Sequence, residues 1–206
     1  MDALDLIFPK KCLECGKGGS YICEDCIKKV PLGGWFFLPG LKVYSIWRYR
    51  GVVRGAIISL KYKFATQLAK ELIDYVAPLL HKRKFLLNDK KHVILIPVAL
   101  HKKRSNFRGF NQSELIGKEI AKKMKWGYYP NLVIRKKNTT PQAQLSGSFR
   151  RENIHNAFCL NPNIKIPKSK VIIFDDVLTT GSTLLEVSKA LKEGGRNKVF
   201  GLTLAR

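Results

Sequence analysis

The stretch of sequence that most restricts the fold is VIIFDDVLTTGST, residues 171–183. Its four leading apolar residues, 171–174, predict a strand buried on both faces, as in a parallel sheet covered by helices. Two adjacent acids follow, and then a run of small residues opens an amphipathic helix at 182–193. Polar residues here lie at the carboxyl end of a strand, where ligands bind in doubly wound sheets.

The residue types in this stretch indicate a phosphorylated sugar. The backbone N–H groups and hydroxyls of residues 178–183 predict a phosphate cradle at a helix N-terminus. Asp175 and Asp176 would repel that phosphate unless they bind something neutral or cationic, such as sugar hydroxyls or Mg²⁺. The alternative is an ordinary capped helix with two incidental acids. No G-x-x-x-x-G-K-[ST] and no G-x-G-x-x-G after a strand occurs, which argues against a P-loop or dinucleotide site.

The rest of the chain alternates apolar runs with amphipathic segments. The pattern predicts strands at 41–50, 92–98, 132–136, 171–174 and 199–204, and helices at 52–62, 66–81, 111–125 and 182–193. This order predicts an α/β fold, with a mainly parallel sheet flanked by helices on both faces. In this chain of 206 residues we place a small Cys-rich head at 1–34 and the main domain at 35–206.

The head contains four cysteines in the spacing C-x2-C-x7-C-x2-C, namely Cys12, Cys15, Cys23 and Cys26. Each C-x2-C pair forms a tight turn that can offer two thiolates to a tetrahedral zinc ion. Four thiolates leave no open position, so the site is predicted to be structural. Redox or disulfide chemistry is the alternative, and a cytoplasmic location makes it the weaker one.

Charge is the dominant feature of the composition. The chain has 38 Lys and Arg against 15 Asp and Glu, a formal net charge of +23, which predicts a polyanionic partner. A basic surface that serves solubility alone is the alternative. The N-terminal segment does not have the pattern of a signal peptide, and no segment approaches about 20 apolar residues. We therefore expect a cytoplasmic protein without membrane insertion.

The sequence FDDVLTTGST resembles the phosphoribosyl pyrophosphate (PRPP) binding motif of type I phosphoribosyltransferases. The resemblance implies their fold, a parallel sheet of about five strands. It also implies that Asp175 and Asp176 contact the ribose hydroxyls. The 5′-phosphate would be held by Thr179, Thr180, Gly181, Ser182 and Thr183.

Two further motifs resemble the ComF family, whose members join a Cys-rich head to a phosphoribosyltransferase domain. One is RGFNQ, residues 108–112. The other is TTPQAQLSGSFRREN, with Thr139, Gln142, Leu145, Arg150 and Asn153. Head and motifs occur in family order, so the resemblance spans nearly the whole chain. It implies a role in DNA uptake during natural transformation, with proteins of the DNA-uptake machinery as further partners.

The resemblance also implies a pyrophosphate loop after the strand at 92–98, with Val98, Ala99, Leu100 and Lys102. Arg104 and Arg108 would be the catalytic residues, neutralising the departing pyrophosphate together with Mg²⁺. Hypoxanthine-type relatives have an acid at the position of Thr179, so a 6-oxopurine acceptor is not expected. An active phosphoribosyltransferase with an unidentified acceptor therefore stays open beside a protein that only binds PRPP.

Basic residues alternate with aromatic residues in three stretches, WRYR (47–50), KYKF (61–64) and RSNFRGF (104–110). Such pairs hold single-stranded nucleic acid, with cations on the phosphates and rings on the bases. Aromatic residues at strand or helix spacing can equally be core residues, which is the alternative for Trp47, Tyr62 and Phe64. Single-stranded DNA is the predicted partner mainly because of the net charge.

Overall fold

The computed structural model describes residues 9–60, 65–83, 93–99, 111–136, 156–165 and 168–206. In these residues the helices are α1 (Glu24–Lys29), α2 (Gly51–Ser59), α3 (Ala65–His81), α4 (Gln112–Met124) and α5 (Ser182–Glu193). The strands are β1 (Leu32–Leu38), β2 (Leu41–Trp47), β3 (Val93–Pro97), β4 (Gly127–Tyr128), β5 (Val133–Arg135), β6 (Phe158–Leu160), β7 (Lys170–Val177) and β8 (Val199–Ala205).

Six of these strands form one sheet in the order β1-β2-β8-β7-β3-β4, and β5 pairs with β6 in a separate antiparallel ribbon. Within the large sheet, β1 alone pairs antiparallel, as the outer strand of a hairpin with β2. Every other pairing is parallel. The described residues therefore confirm the predicted α/β fold with a largely parallel sheet.

The sheet has an apolar core on each face. Alternate residues of β7 divide between the two cores, with Ile172 and Phe174 on one face and Val171 and Ile173 on the other. The first face is covered by α2, α3, α4 and the head, and the second by α5 and the β5-β6 ribbon. Burial on both faces is the reason that β3 and β7 read as continuous apolar runs.

The structure corrects several boundaries of the sequence prediction. Strand β7 continues to Val177, so the two acids lie inside the strand rather than after it. Strand β1 was not predicted, because Gly33 and Gly34 do not give the residue pattern of a strand. In the described part of the chain, no helix has the length and apolar character needed to cross a membrane.

Glu71 of α3 holds the head against the main domain through hydrogen bonds and an ion pair. One carboxylate oxygen of Glu71 accepts hydrogen bonds from the backbone N–H groups of Tyr21 at 2.8 Å and Ile22 at 3.3 Å. Its other oxygen lies 3.7 Å from Nζ of Lys10. The hydroxyl of Tyr75, one helical turn further along α3, donates to the carbonyl of Ile22 at 3.2 Å. Polar contact with the head is thus made largely through its backbone.

The same junction is sealed by apolar packing. Ile22 is 1% exposed and lies in one continuous cluster with Trp47 of β2, Val52 of α2 and Leu72 of α3. Cys12, Cys23 and Cys26 belong to that cluster too. The interior of the head and the core on this face of the sheet are therefore one hydrophobic unit.

We expect Glu71→Ala to lower the free energy of unfolding by about 1–3 kcal/mol, because two backbone donors lose a charged acceptor. Urea unfolding of the zinc-loaded protein measures this. The matched control is Asp74→Ala, three residues along α3, which removes an exposed ion pair of 2.8 Å with Lys123. That change should stay below about 1 kcal/mol. Equal losses for the two variants would contradict the role given to Glu71.

Candidate functional site

Four cysteine side chains meet in the head. The sulfur atoms of Cys12, Cys15, Cys23 and Cys26 all lie within 4.8 Å of one another, and those of Cys15 and Cys23 are 3.7 Å apart. Zinc–sulfur bonds of about 2.3 Å in a tetrahedron place sulfurs about 3.8 Å apart. A disulfide would need about 2.05 Å. The four free thiols are therefore arranged to hold a zinc ion, as predicted.

The first C-x2-C turn is shaped for a thiolate. The N–H of Gly16 donates to the carbonyl of Cys12 at 2.9 Å, and Gly16 has a φ of 75°, which closes the turn. Burial of Cys12 opposes ionisation, but hydrogen bonds from the backbone N–H groups of Cys15, Glu14 and Cys23 outweigh it and lower the pKa of the Cys12 thiol to about 6. The thiolate is the form that binds zinc.

The second site lies at the carboxyl end of β7, where Asp175 and Asp176 stand next to each other. One oxygen of Asp175 accepts from the hydroxyl of Ser113 and from the N–H of Asp176, both at 3.0 Å. One oxygen of Asp176 accepts from the N–H of Val177 at 2.8 Å. Both side chains are only partly buried. Each carboxylate is thus oriented by protein donors within a residue that keeps partial contact with solvent.

The surroundings of Asp175 disfavour the ionised form of its carboxyl group. Burial, and then the charge of Asp176, raise the pKa of the Asp175 carboxyl to about 7. The hydrogen bonds from Ser113 and Asp176 and the guanidinium of Arg135 act in the opposite direction. A neutral ligand with hydroxyl groups, or a cation, would relieve this repulsion.

The predicted phosphate cradle follows directly. Gly181 is the N-cap of α5 with a φ of 78°, a conformation that favours glycine. A Cβ added there would also clash with Cδ1 of Leu38 in β1. The hydroxyls of Thr180 and Ser182 are 2.8 Å apart, and Thr179 and Thr180 are exposed. The acids and the N-terminus of a 12-residue helix are thus joined by one short loop.

A buried polar network fixes α4 beside this loop. Asn111 caps α4 by accepting from the N–H of Ser113 at 3.0 Å, and its amide donates to the carbonyl of Val98 at 3.0 Å. The amide also donates to Glu114 at 3.0 Å. Gln112 donates to the carbonyl of Ile57 in α2 at 3.3 Å. The last two residues of the RGFNQ motif therefore hold the helix that presents Ser113 to Asp175.

The predicted pyrophosphate loop is described only at its start. The N–H of Val98 donates to the carbonyl of Phe174 at 2.8 Å, and the Val98 carbonyl accepts from Asn111. Val98 thus anchors the loop, and Ala99 follows it half-buried. Leu100, Lys102, Arg104 and Arg108 lie outside the described residues, and their roles stay predictions.

The remaining predicted residues divide into two groups. Those of the second ComF motif, Thr139, Gln142, Leu145, Arg150 and Asn153, lie outside the described residues, as do the stretches 61–64 and 104–110. Trp47 of the WRYR stretch is 2% exposed and belongs to the core, in line with the alternative interpretation of that residue.

Sequence reasoning missed four residues that shape these sites, Leu38, Glu71, Ser113 and Arg135. For Ser113 a signal was present, since N-x-x-E at 111–114 has the form of a helix capping box. The other three act through contacts between distant segments, and no local pattern marks them.

No family model matches the chain. It is 32% identical over 205 residues to "Competence protein F" of Haemophilus influenzae, covering 95% of this chain and 84% of that relative. "DNA utilization protein YhgH" of Escherichia coli strain K12 is 28% identical over 202 residues, covering 95% and 83%. "Competence protein ComFC" of Bacillus subtilis is 23% identical over 199 residues, covering 95% and 77%.

Purified protein should contain about one zinc ion per chain, and removing it with a strong chelator should unfold the head, since structural zinc supplies the folding energy of so small a unit. Elemental analysis measures the first effect, and tryptophan fluorescence, to which Trp47 in the shared cluster contributes, measures the second. Cys15→Ser should lose the zinc. Cys159→Ser, outside the cluster, is the matched control and should keep it. Zinc retained by Cys15→Ser would contradict the assignment.

The raised pKa of Asp175 also predicts how stability changes with pH. A carboxyl with a higher pKa in the folded state binds more protons there, so its contribution to stability falls as pH rises from about 4 to about 7. Asp175→Asn should therefore stabilise the ligand-free protein, on the order of 2 kcal/mol more at about pH 8 than at about pH 4. Urea unfolding at the two pH values measures it. Equal effects of Asp175→Asn at the two pH values would contradict this prediction.

Proposed function

Because the chain belongs to the ComF family of competence proteins, we propose that it takes part in DNA uptake during natural transformation by binding PRPP with Mg²⁺ and by binding single-stranded DNA. The observation that carries the PRPP part is the junction at the end of β7, where two oriented carboxylates meet the N-terminus of α5. The DNA part rests on the net charge of +23 and on what the relatives are named for.

The junction suits a ribose 5-phosphate in two ways. Hydroxyls at ribose C2 and C3 can donate to Asp175 and Asp176 and relieve the repulsion that raises the pKa of Asp175. The phosphate is attracted by the N–H groups and dipole at the start of α5, and the hydroxyls of Thr180 and Ser182 can donate to it. The acceptors for the ribose hydroxyls and the donors for the phosphate therefore lie only a few residues apart in the chain.

Mg²⁺ is included in the proposal because the pyrophosphate group of PRPP, bound at this junction, would lie near the two carboxylates. Asp175 and Asp176 offer the oxygen ligands that this ion prefers, either directly or through water. When bound, the ion would neutralise charge on the pyrophosphate. What the protein contributes is orientation. Ser113 holds the Asp175 carboxylate in place, and the start of α5 fixes the phosphate end of the ligand.

Turnover of PRPP is a separate question from binding. Displacement at ribose C1 would need an acceptor and cations beside the leaving pyrophosphate, for which Arg104 and Arg108 are the predicted residues. An active phosphoribosyltransferase with an unidentified acceptor is thus the alternative within this proposal, and acceptor-dependent release of pyrophosphate distinguishes it.

Calorimetric titration should show saturable binding of PRPP in the presence of Mg²⁺. The double variant Asp175→Asn, Asp176→Asn should weaken binding about 100-fold or more, because two charge-assisted hydrogen bonds become neutral ones. Gly181→Ala should weaken it as well, because alanine is strained at the φ of 78° and its methyl group would also displace Leu38. Glu193→Gln, at the other end of α5, is the matched control and should bind as the wild type does.

Failure of the folded, zinc-loaded wild type to bind PRPP would contradict this part of the proposal. The titration is repeated with an oligothymidylate already bound, since a change in PRPP affinity would reveal coupling between the two ligands. Pyrophosphate release is measured in the same samples, with and without nucleobase acceptors.

A further inference from the structure

One side of the β1-β2 hairpin carries rings and cations that neither the zinc site nor the β7 junction uses. Phe37 of β1 pairs in register with Lys42 of β2, and Lys42 with Phe200 of β8. Residues paired in register point to the same side of a sheet. Lys170 of β7 lies on this side too, two residues before Ile172, which pairs with Phe200. We call Phe37, Lys42, Phe200 and Lys170 the basic-aromatic strip.

Rings and cations alternate across the strip. Nζ of Lys42 lies 5.9 Å from the centroid of the Phe37 ring, and Nζ of Lys170 lies 5.9 Å from that of Phe200. The order across four neighbouring strands is therefore ring, cation, ring, cation. Because adjacent strands are about 4.8 Å apart, the backbones that carry the two rings are about 10 Å apart.

A second row repeats the combination two residues along the strands. Trp35 of β1 pairs in register with Tyr44 of β2, with the rings 5.4 Å apart at 63°. The guanidinium of Arg83, just past the end of α3, lies 5.1 Å from the centroid of Tyr44. Tyr44 is buried and Arg83 is half-buried, so Trp35 is the most exposed member of this row.

The strip is most accessible at Phe37 and Lys42. Phe37 is 73% exposed, although large apolar residues usually lie inside a fold, and Lys42 is exposed, whereas Phe200 and Lys170 are half-buried. A cavity of about 410 Å³ opens between Phe37 and Phe200, with Lys42 in its lining. Two rings and a cation thus border a space that is large enough for a nucleobase.

We propose that single-stranded DNA binds on this strip, with bases stacking against Phe37 and Phe200 and phosphates contacting Lys42 and Lys170. This assignment rests on the proposed function, since it gives a location to the DNA binding proposed above. A single strand is the partner that fits, because its bases are free to stack on protein rings and its phosphates match the positive charge. In a duplex the bases are already stacked on one another and could not reach Phe37.

Fluorescence anisotropy with a labelled oligothymidylate tests the strip. Phe37→Ala should weaken binding about 5- to 100-fold, the range expected for losing one stacked base. Because Phe37 is so exposed, the variant should fold as the wild type does, which circular dichroism checks. Phe37→Trp keeps an aromatic ring and should retain affinity.

Two further comparisons separate stacking from charge. On an abasic strand of the same length, Phe37→Ala should bind as well as the wild type, because no base is present to stack. Lys42→Gln should reduce the steepness of the salt dependence by about 0.7 in the log–log slope, whereas Phe37→Ala should leave the slope unchanged. Lys118→Gln, an exposed charge on α4, is the matched control for Lys42 and should change the slope less.

The outcomes distinguish this surface from the function on which it rests. If the wild type binds the oligonucleotide and Phe37→Ala binds it equally well, the strip is not the binding surface, and the proposed DNA binding stands. If the wild type does not bind single-stranded DNA, both are overturned. Loss of affinity that depends on both the ring and the bases supports the strip.

Discussion

Burial of β7 determines where along this strand polar side chains can lie. The strand has parallel partners along both edges and an apolar core on each face, so its backbone and its middle side chains are fully committed to the fold. Polar groups can be accommodated only where the strand ends. This edge of the sheet is accessible to solvent. The two acids, the N-terminus of α5 and the capped N-terminus of α4 lie together there.

Patterns in the sequence predicted the elements that form through interactions between residues close in sequence. The central strands were recognisable as continuous apolar runs, and α5 by its Gly and hydroxyl residues followed by an amphipathic period. The cysteine cluster was recognisable because its two tight turns bring ligands together within a short segment. In each case the residues that interact are close in sequence.

The parts that could not be predicted depend on pairings between distant segments. Strand β1 exists because it adds to the edge of β2, and its two glycines give no strand signal of their own. Ser113 and Asp175 are separated by 62 positions, and Glu71 and Tyr21 by 50. The exposed ring of Phe37 could be recognised only once the register placed it beside Lys42.

The contact between Glu71 and the head has a consequence for how this protein can change over evolutionary time. Glu71 binds main-chain N–H groups, which every residue except proline possesses. The side chain at position 21 can therefore drift without loss of that contact, whereas a proline at position 21 or 22 would abolish one of its two hydrogen bonds. The contact with Glu71 therefore constrains the backbone shape at positions 21 and 22, while the Tyr21 ring is constrained separately by its packing against the core.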